Sequence, residues 1–241
     1  MNYELSPLGD AAVIIQLGTD ISLDTHHAVR SLTRYLEDHP IPGTLDLVPA
    51  FTSVTLYYNP IQVQDHNDHD SQGEHSPYES MCKKLHNILE RFEPSSEKEA
   101  RTIEIPVCYG GELGPDLEEV ADHNQLSVDE VIDIHSNGDY LVYMLGFAPG
   151  FPYIGGMSEK IATPRRDDPR TSIPAGSVGI AGSQTGVYPI ETPGGWQLIG
   201  QTPLKLFDLD QDPPTLLEAG DKIRFKPISL SEFKELKEGQ S

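Results

Sequence analysis

Glycine and proline are concentrated in one part of the chain, and this concentration restricts the fold that part can adopt. Eleven of the 21 glycines lie between residues 146 and 203, which disfavours long helices because each glycine costs about 1 kcal/mol relative to alanine. Apolar runs of strand length lie between these turn residues. The runs are YLVYML, SVGIAG, GVYPIE, WQLIGQT and, further along, DKIRFKPI. Short strands separated by tight turns predict a β-barrel.

The barrel region is predicted to begin near RTIEIPVCYGG, after the charged linker EPSSEKEA. Two short helices follow, one at GPDLEEVADHN, where Pro115 suits a first turn, and one at SVDEVIDIHS, where Ser127 and Glu130 fit a capping box. The stretch SLSEFKELKEG predicts a last helix. We assign residues 99–241 to this domain.

Residues 1–98 alternate strand and helix patterns and form a second predicted domain. AAVIIQLG and LDLVPAFTSVTLYYNP are strand-like, whereas SLDTHHAVRSLTRYLEDHP and YESMCKKLHNILERF have helical spacing. Ser22 is a candidate N-cap of the first helix, which Pro40 ends. The order predicts a small α/β sandwich with both helices on one face of the sheet. The fold class is therefore α+β, a small α/β sandwich followed by a β-barrel.

The tract at residues 62–80, QVQDHNDHDSQGEHSPYES, is polar, acidic and dotted with histidines. It can bury little apolar surface, so we expect a disordered loop inserted in the first domain. His66, His69 and His75 lie among aspartates, but no regular structure or apolar shell would hold them as metal ligands. We therefore predict no metal site.

The chain is acidic, with a net charge of −21 and a pI of about 4.6. Long-range repulsion then argues against nucleic acid or an anionic membrane as a partner. The N-terminal MNYELSPLGD has acids where a secretion signal carries bases, and no run is apolar and long enough to cross a bilayer. We expect the protein in the cytoplasm.

Residues 141–210 are almost neutral, with five Lys and Arg against six Asp and Glu. Three of these cations, Arg165, Arg166 and Arg170, lie close together and are candidates to bind a small anion. The alternative is that they only balance Asp167 and Asp168.

The glycine-rich segment lacks histidine and cysteine, since the last histidine is His135 and the last cysteine is Cys108. This excludes a Ser-His-Asp or Cys-His site made of that segment alone, and leaves Ser183 without a local base. In AGSQTG we predict a turn whose amides, with Gln184 and Thr185, face a ligand. An ordinary hairpin turn is the alternative.

No GxxxxGK[ST] or GxGxxG motif provides a nucleotide cradle, so any ATP is expected to involve another chain. Aromatic rings are candidates for the wall of a small-molecule pocket, or alternatively for the barrel core. They are Phe147, Phe151, Tyr153, Tyr188 and Trp196.

Three long stretches carry a resemblance to a known family: YLVYMLGFAPGFPYIGG, TPRRDDPRTSIPAGSVGIAGSQTGVYPIETPGGWQLIGQTPLKLFD and LLEAGDKIRFKPI. They closely resemble the allophanate hydrolase subunit 1 family, which includes a component of bacterial 5-oxoprolinase and the sporulation kinase inhibitor KipI. A weaker match covers nearly the whole chain apart from the tract at 62–80. The resemblance implies that the barrel is cyclophilin-like.

It also implies partners and a reaction. Members work with a homologous subunit 2-type protein (PxpC), and 5-oxoprolinase adds a lactam-utilisation protein (PxpA). The implied reaction is ATP-dependent opening of 5-oxo-L-proline to L-glutamate, with ATP as co-substrate, accompanied by Mg in the complex and not held by this chain alone. The alternative is a KipI-like inhibitor that binds a sporulation histidine kinase. A role in urea or allophanate chemistry is a weaker third reading, because no biotin-carrier or carboxylase segment is present.

No catalytic residue is assigned by the motif. The predicted substrate-binding residues are Arg165, Arg166, Arg170, Gly182, Gln184, Thr185, Tyr188, Trp196, Gln201, Phe147 and Phe151.

Overall fold

The computed structural model describes residues 2–63, 76–94 and 100–239. The chain divides into two compact units, 1–98 and 99–241. The first unit contains β1 (Glu4–Pro7), β2 (Ala12–Gln16), α1 (Leu23–Asp38), β3 (Thr44–Pro49), β4 (Ser53–Tyr58), α2 (Pro60–Val63) and α3 (Pro77–Leu89). The second contains β5 (Thr102–Tyr109), α4 (Leu117–Asn124), α5 (Val128–Ser136), β6 (Tyr140–Leu145), β7 (Pro152–Gly155), β8 (Arg170–Ile173), β9 (Ser177–Ala181), β10 (Gln184–Val187), β11 (Thr192–Gly194), β12 (Gln197–Gln201), β13 (Lys222–Pro227) and α6 (Leu230–Glu238).

An antiparallel sheet of order β1-β2-β4-β3 forms the first unit. Side chains alternate along a strand, so Val13 and Ile15 of β2 lie on the same side as Val54 and Leu56 of β4. Helices α1 and α3 bury their apolar stripes in this one core. Both helices therefore cover one face, as predicted, whereas the apolar pattern gives no sign of strand β1.

Helices α1 and α5 begin at the capping residues predicted from the sequence, whereas α4 begins later than predicted. The Ser22 hydroxyl caps α1 by accepting from the Thr25 amide, and Ser127 and Glu130 form the reciprocal capping box of α5. Helix α4 begins only at Leu117, so Pro115 precedes it and does not occupy its first turn. The reason is that Asp116 is held outside the helix by contacts with β12.

The two ends of the tract predicted as a disordered loop are helical instead. Gln62 and Val63 end α2, where Val63 is buried. Ser76 caps α3 in a box with Glu79, a stabilisation that the polar composition of the tract concealed. Residues 64–75, including the three histidines, lie outside the described residues.

A closed barrel of seven strands, in the order β10-β7-β6-β13-β5-β12-β9, forms the second unit and confirms the predicted barrel. Most pairs are antiparallel, but β13 runs parallel to β5 over six residues. Strands β8 and β11 form a separate two-stranded sheet. Inside the barrel lies an apolar core that α4 and α5 extend. In the described ranges, no helix is both long and apolar enough to cross a membrane.

Candidate active site

Two of the three clustered arginines converge on one carboxylate, that of Asp116. Arg166 Nη1 lies 2.9 Å from Asp116 Oδ1, and the two Nη atoms of Arg170 lie 2.8 Å from the two carboxylate oxygens. The partner is therefore 50 or more residues upstream, and neither Asp167 nor Asp168 takes this role. Arg165 is exposed at the surface.

Hydrogen bonds to backbone atoms hold the segment of Arg166 and the carboxylate of Asp116 in place. The Arg166 amide donates to Gly195 O at 2.7 Å, and Gln197 Nε2 donates to Pro164 O at 3.2 Å. Asp116 is only 4% exposed and also accepts the Leu198 amide at 2.7 Å. Its carboxylate thus receives four hydrogen bonds, which is about its full capacity.

An aromatic cluster surrounds Phe151, the second feature of the site. Its ring centroid lies 5.6 to 6.0 Å from those of four other rings in edge-on arrangements. These rings belong to Phe147, Tyr153, Tyr188 and Trp196. Phe151 and Tyr188 are buried core residues, Trp196 and Tyr153 are half-buried, and Phe147 is 74% exposed.

Gly186 is what allows the cluster to close on the barrel wall. A Cβ at this position would lie 3.0 Å from the Trp196 ring and 3.4 Å from Phe151. A side chain there would displace one of these rings, because such contacts are tighter than normal packing allows.

Tyr188 lies where the aromatic and arginine clusters meet. Burial raises the pKa of its phenol to about 12, while the positive charges of Arg165 and Arg170 act in the opposite direction. The hydroxyl is therefore a neutral hydrogen-bonding group at neutral pH. The chain thus places cations beside an aromatic wall, a combination suited to a small ligand that has both an anionic and an apolar face.

Phe147 sits in a strained turn of the segment LGFAPGFPYIGG. The Ala148 amide donates to Gly146 O at 2.9 Å, which encloses Phe147 in a γ-turn with φ of 70°. A positive φ at a bulky residue is unusual and costs of order 1–3 kcal/mol. Strain combined with exposure of an aromatic ring is typical of a functional surface.

Of the remaining predicted residues, Gly182 and Gln201 hydrogen-bond to other parts of the protein, and Gln184 is exposed. The Gly182 amide donates to Thr163 O at 2.7 Å, so this hairpin turn is bound to the neighbouring chain segment and does not offer that amide to a ligand. Gln184 is exposed in β10, and Gln201 Nε2 is buried and donates to Ala175 O at 2.7 Å.

Thr185 points into the barrel, because alternation along β10 turns Gly186 outward and Thr185 inward. Its hydroxyl donates to Gly179 O at 3.1 Å and lies 2.8 Å from His135 Nε2. The side chain is thus hydrogen-bonded inside the protein and 1% exposed, and its contact with a ligand stays a prediction.

His135 of α5 also contacts the barrel strands. It was not among the predicted site residues, because it precedes the glycine-rich segment. Since the Thr185 hydroxyl donates to Gly179, it must accept from Nε2–H, and Nδ1 must then accept from the Tyr109 hydroxyl at 2.7 Å. Burial lowers the pKa of His135 to about 3. The result is a neutral, fully hydrogen-bonded histidine that ties α5 to two barrel strands.

Metal-ligating side chains do not come together in the part of the chain that the structure describes. Within residues 2–63, 76–94 and 100–239, no group of three or more His, Cys, Asp or Glu side chains is placed to hold a metal ion.

Comparisons with known proteins agree with the family resemblance that the sequence motifs carry. Residues 3–217 match the family described as "Carboxyltransferase domain, subdomain C and D". The chain is 54% identical to the B subunit of 5-oxoprolinase from Bacillus subtilis (strain 168) over 99% of this chain and 98% of that protein. Identity to the 5-oxoprolinase B subunit of Haemophilus influenzae is 57%, over 91% and 95% of the two chains.

A solved structure also aligns along the chain. It is the crystal structure of the conserved uncharacterized protein PH0987 from Pyrococcus horikoshii, with 43% identity, a TM-score of 0.54 and coverage of 95% of this chain and 100% of that one. These matches confirm the resemblance seen in the sequence. The chain therefore belongs to the carboxyltransferase subdomain C and D family, in the group that includes proteins named as the B subunit of 5-oxoprolinase.

Proposed function

We propose that this chain is a subunit of an ATP-dependent 5-oxoprolinase that opens 5-oxo-L-proline to L-glutamate together with a subunit 2-type protein and a lactam-utilisation protein. The observation that carries the proposal is 54% identity over 99% of the chain to a protein named as the B subunit of 5-oxoprolinase.

The chemistry explains the coupling to ATP. A lactam carbonyl is a weak electrophile, so its oxygen is first phosphorylated, with ADP as the leaving group. Water then adds to the activated carbon, and the ring C–N bond breaks as the nitrogen takes a proton, which leaves an acyl phosphate of glutamate. A second water hydrolyses this acyl phosphate to the carboxylate and inorganic phosphate. Both the substrate carboxylate and the transferred phosphoryl group need cations close by.

The arginine and aromatic clusters support this assignment. Arg165, Arg166 and Arg170 supply guanidinium groups, which bind carboxylates and phosphates in a planar, two-pronged geometry. The half-buried Trp196 and the Tyr188 beneath it provide an apolar wall for the ring carbons of the lactam.

The Mg that accompanies ATP does not fit the carboxylate present here. Asp116 already accepts four hydrogen bonds from Arg166, Arg170 and Leu198. In our proposal ATP and Mg therefore bind where a partner subunit completes the site. The exposed and strained Phe147 is the proposed contact with the subunit 2-type partner, because an aromatic anchor on a fixed turn is typical of such interfaces.

The test is reconstitution. The chain is purified with its subunit 2-type and lactam-utilisation partners, and glutamate and ADP formed from 5-oxoproline and ATP are measured with and without this chain. Glutamate formation that requires the chain is expected. An assembled complex that forms no glutamate would contradict the proposal.

A pair of variants then separates the site from general destabilisation. Arg166→Ala is expected to lower activity by about 100-fold or more while the complex still assembles. Arg101→Ala is the matched control, because Arg101 also pairs with a buried aspartate, Asp221, in the same unit. Full activity in Arg166→Ala would show that the arginine cluster is not part of the active site.

A further inference from the structure

We infer that Asp116 is a positioning residue, which does not touch the substrate but fixes Arg166 and Arg170 so that they bind the carboxylate of 5-oxoproline. This inference rests on the proposed function and assigns a role within that site.

The first argument is geometric. Arg170 meets the carboxylate with two parallel hydrogen bonds of 2.8 Å, which fix the plane of its guanidinium as well as its distance. Arg166, four residues earlier in the loop before β8, donates to Oδ1 of the same group. The carboxylate is in turn held by the Leu198 amide of β12. One buried acid therefore sets the position of two long side chains that would otherwise sample many rotamers.

The second argument is electrostatic. Two guanidinium groups share one carboxylate, so the cluster keeps one positive charge in a chain whose net charge is −21. The side chains of Arg166 and Arg170 are 34% and 25% exposed, so this charge is partly shielded from water and still reachable. An anionic substrate would be repelled by most of the protein surface and attracted here.

The third argument concerns unused donors. A guanidinium has five N–H donors, of which Arg170 uses two on Asp116 and Arg166 uses one. Among the residues that the structure describes, Arg166 Nε is buried and has no acceptor. A buried donor without a partner is costly, and a bound carboxylate near it would offer the missing acceptor.

The experiment uses the reconstituted complex and compares Asp116→Asn with Asp221→Asn. Both remove a buried carboxylate that accepts two hydrogen bonds from an arginine and one from a backbone amide. For Asp116→Asn we expect the KM for 5-oxoproline to rise by about tenfold or more, as for loss of a charge-assisted contact. Its kcat should stay within about threefold and its KM for ATP should not change. Asp221→Asn should leave both KM values unchanged.

A double variant tests whether Asp116 acts through the arginine. Arg170→Gln alone should also raise the KM for 5-oxoproline, and adding Asp116→Asn should then have little further effect. Multiplying effects would mean that the two residues act independently, which would overturn the inference. Should Asp116→Asn fail to fold, Asp116→Glu keeps the charge and should recover part of the low KM.

The outcomes separate the two proposals. A wild-type complex without turnover would contradict the proposed function, and therefore also this inference. A wild-type complex that turns over, with an unchanged KM for 5-oxoproline in Asp116→Asn, refutes only the role of Asp116.

Discussion

Both Nη atoms of Arg170 lie 2.8 Å from the carboxylate oxygens of Asp116, 54 residues earlier in the chain. This two-pronged contact depends on the planar shape of the guanidinium, which lysine lacks. Arg170→Lys should therefore lower glutamate formation by the complex by about tenfold or more, although the charge is kept.

The control for Arg170→Lys is Arg101→Lys. Arg101 also donates from two nitrogens to one buried aspartate, so this variant should lose comparable thermal stability and keep its activity. Equal activity in the two variants would show that the geometry at Arg170 does not matter for the reaction.

Phe147 should contribute to assembly at the expense of stability. Replacing it with glycine removes the strain of a positive φ, so Phe147→Gly should unfold at the same temperature or slightly higher. Loss of an aromatic anchor should weaken binding to the subunit 2-type partner by about 2 kcal/mol, or roughly 30-fold in Kd. Calorimetric unfolding and titration of the partner measure the two effects.

Leu230→Ser, which removes a different exposed apolar side chain, is the control for Phe147→Gly. Its affinity for the partner should match the wild type. Undiminished binding by Phe147→Gly would exclude the γ-turn from the interface.

Two buried histidines should make the protein lose stability in mild acid. Burial lowers the pKa of His135 to about 3 and, with help from Arg30 and His27, that of His26 to about 4. Unfolded histidines bind a proton below about pH 6.5, so the unfolded state holds more protons in this window and the free energy of unfolding falls with decreasing pH. Between about pH 6 and pH 5 each histidine contributes a slope of about 1 kcal/mol per pH unit or slightly more.

Chemical denaturation at a series of pH values measures this slope. His135→Gln should reduce it by about half, whereas substitution of the exposed His123 should leave it unchanged. A wild-type free energy that is flat over this window would show that the histidines are not buried in the neutral form.

The hydrogen-bonded series through His135 makes a prediction about Thr185. Thr185→Val keeps the shape but leaves His135 Nε2–H without its acceptor, so it should cost about 1–3 kcal/mol of stability. In a His135→Leu background the same change should cost much less, because the donor is already gone. Equal costs in both backgrounds would mean that the two side chains do not interact. Nitrogen NMR shifts of the ring should also report the Nε2–H tautomer.

Local patterns were enough to predict much of the fold. The reciprocal box of Ser127 and Glu130, the cap at Ser22 and the strand-length runs between glycines depend on neighbouring residues, so they can be recognised without tertiary information. Strand β1 could not be found in this way, because ELSP is only four residues long and ends in proline, which is too short a run for a recognisable strand pattern.

The candidate site was predicted only in part, for a physical reason. The clustering of Arg166 and Arg170 is visible in the sequence, but their partner, Asp116, is brought to them by the packing of α4 against β12. His135 likewise enters the barrel from a helix outside the glycine-rich segment. Contacts between residues 50 positions apart leave no periodic signal in the sequence. The composition therefore indicated the clustered arginines, but it did not indicate Asp116 as the acid that pairs with them.

The position of β13 determines when this barrel can close during synthesis. The strand lies between β5 and β6, and both are made well before it. About 80 residues separate the end of β6 from the end of β13, which corresponds to roughly 4 to 16 s at 5–20 residues per second. Throughout that interval two strand edges have no neighbour, and open edges are templates for association between chains. The nascent second unit is thus most exposed to misassembly just before Lys222–Pro227 leaves the ribosome, long after the side chains of its arginine cluster have emerged.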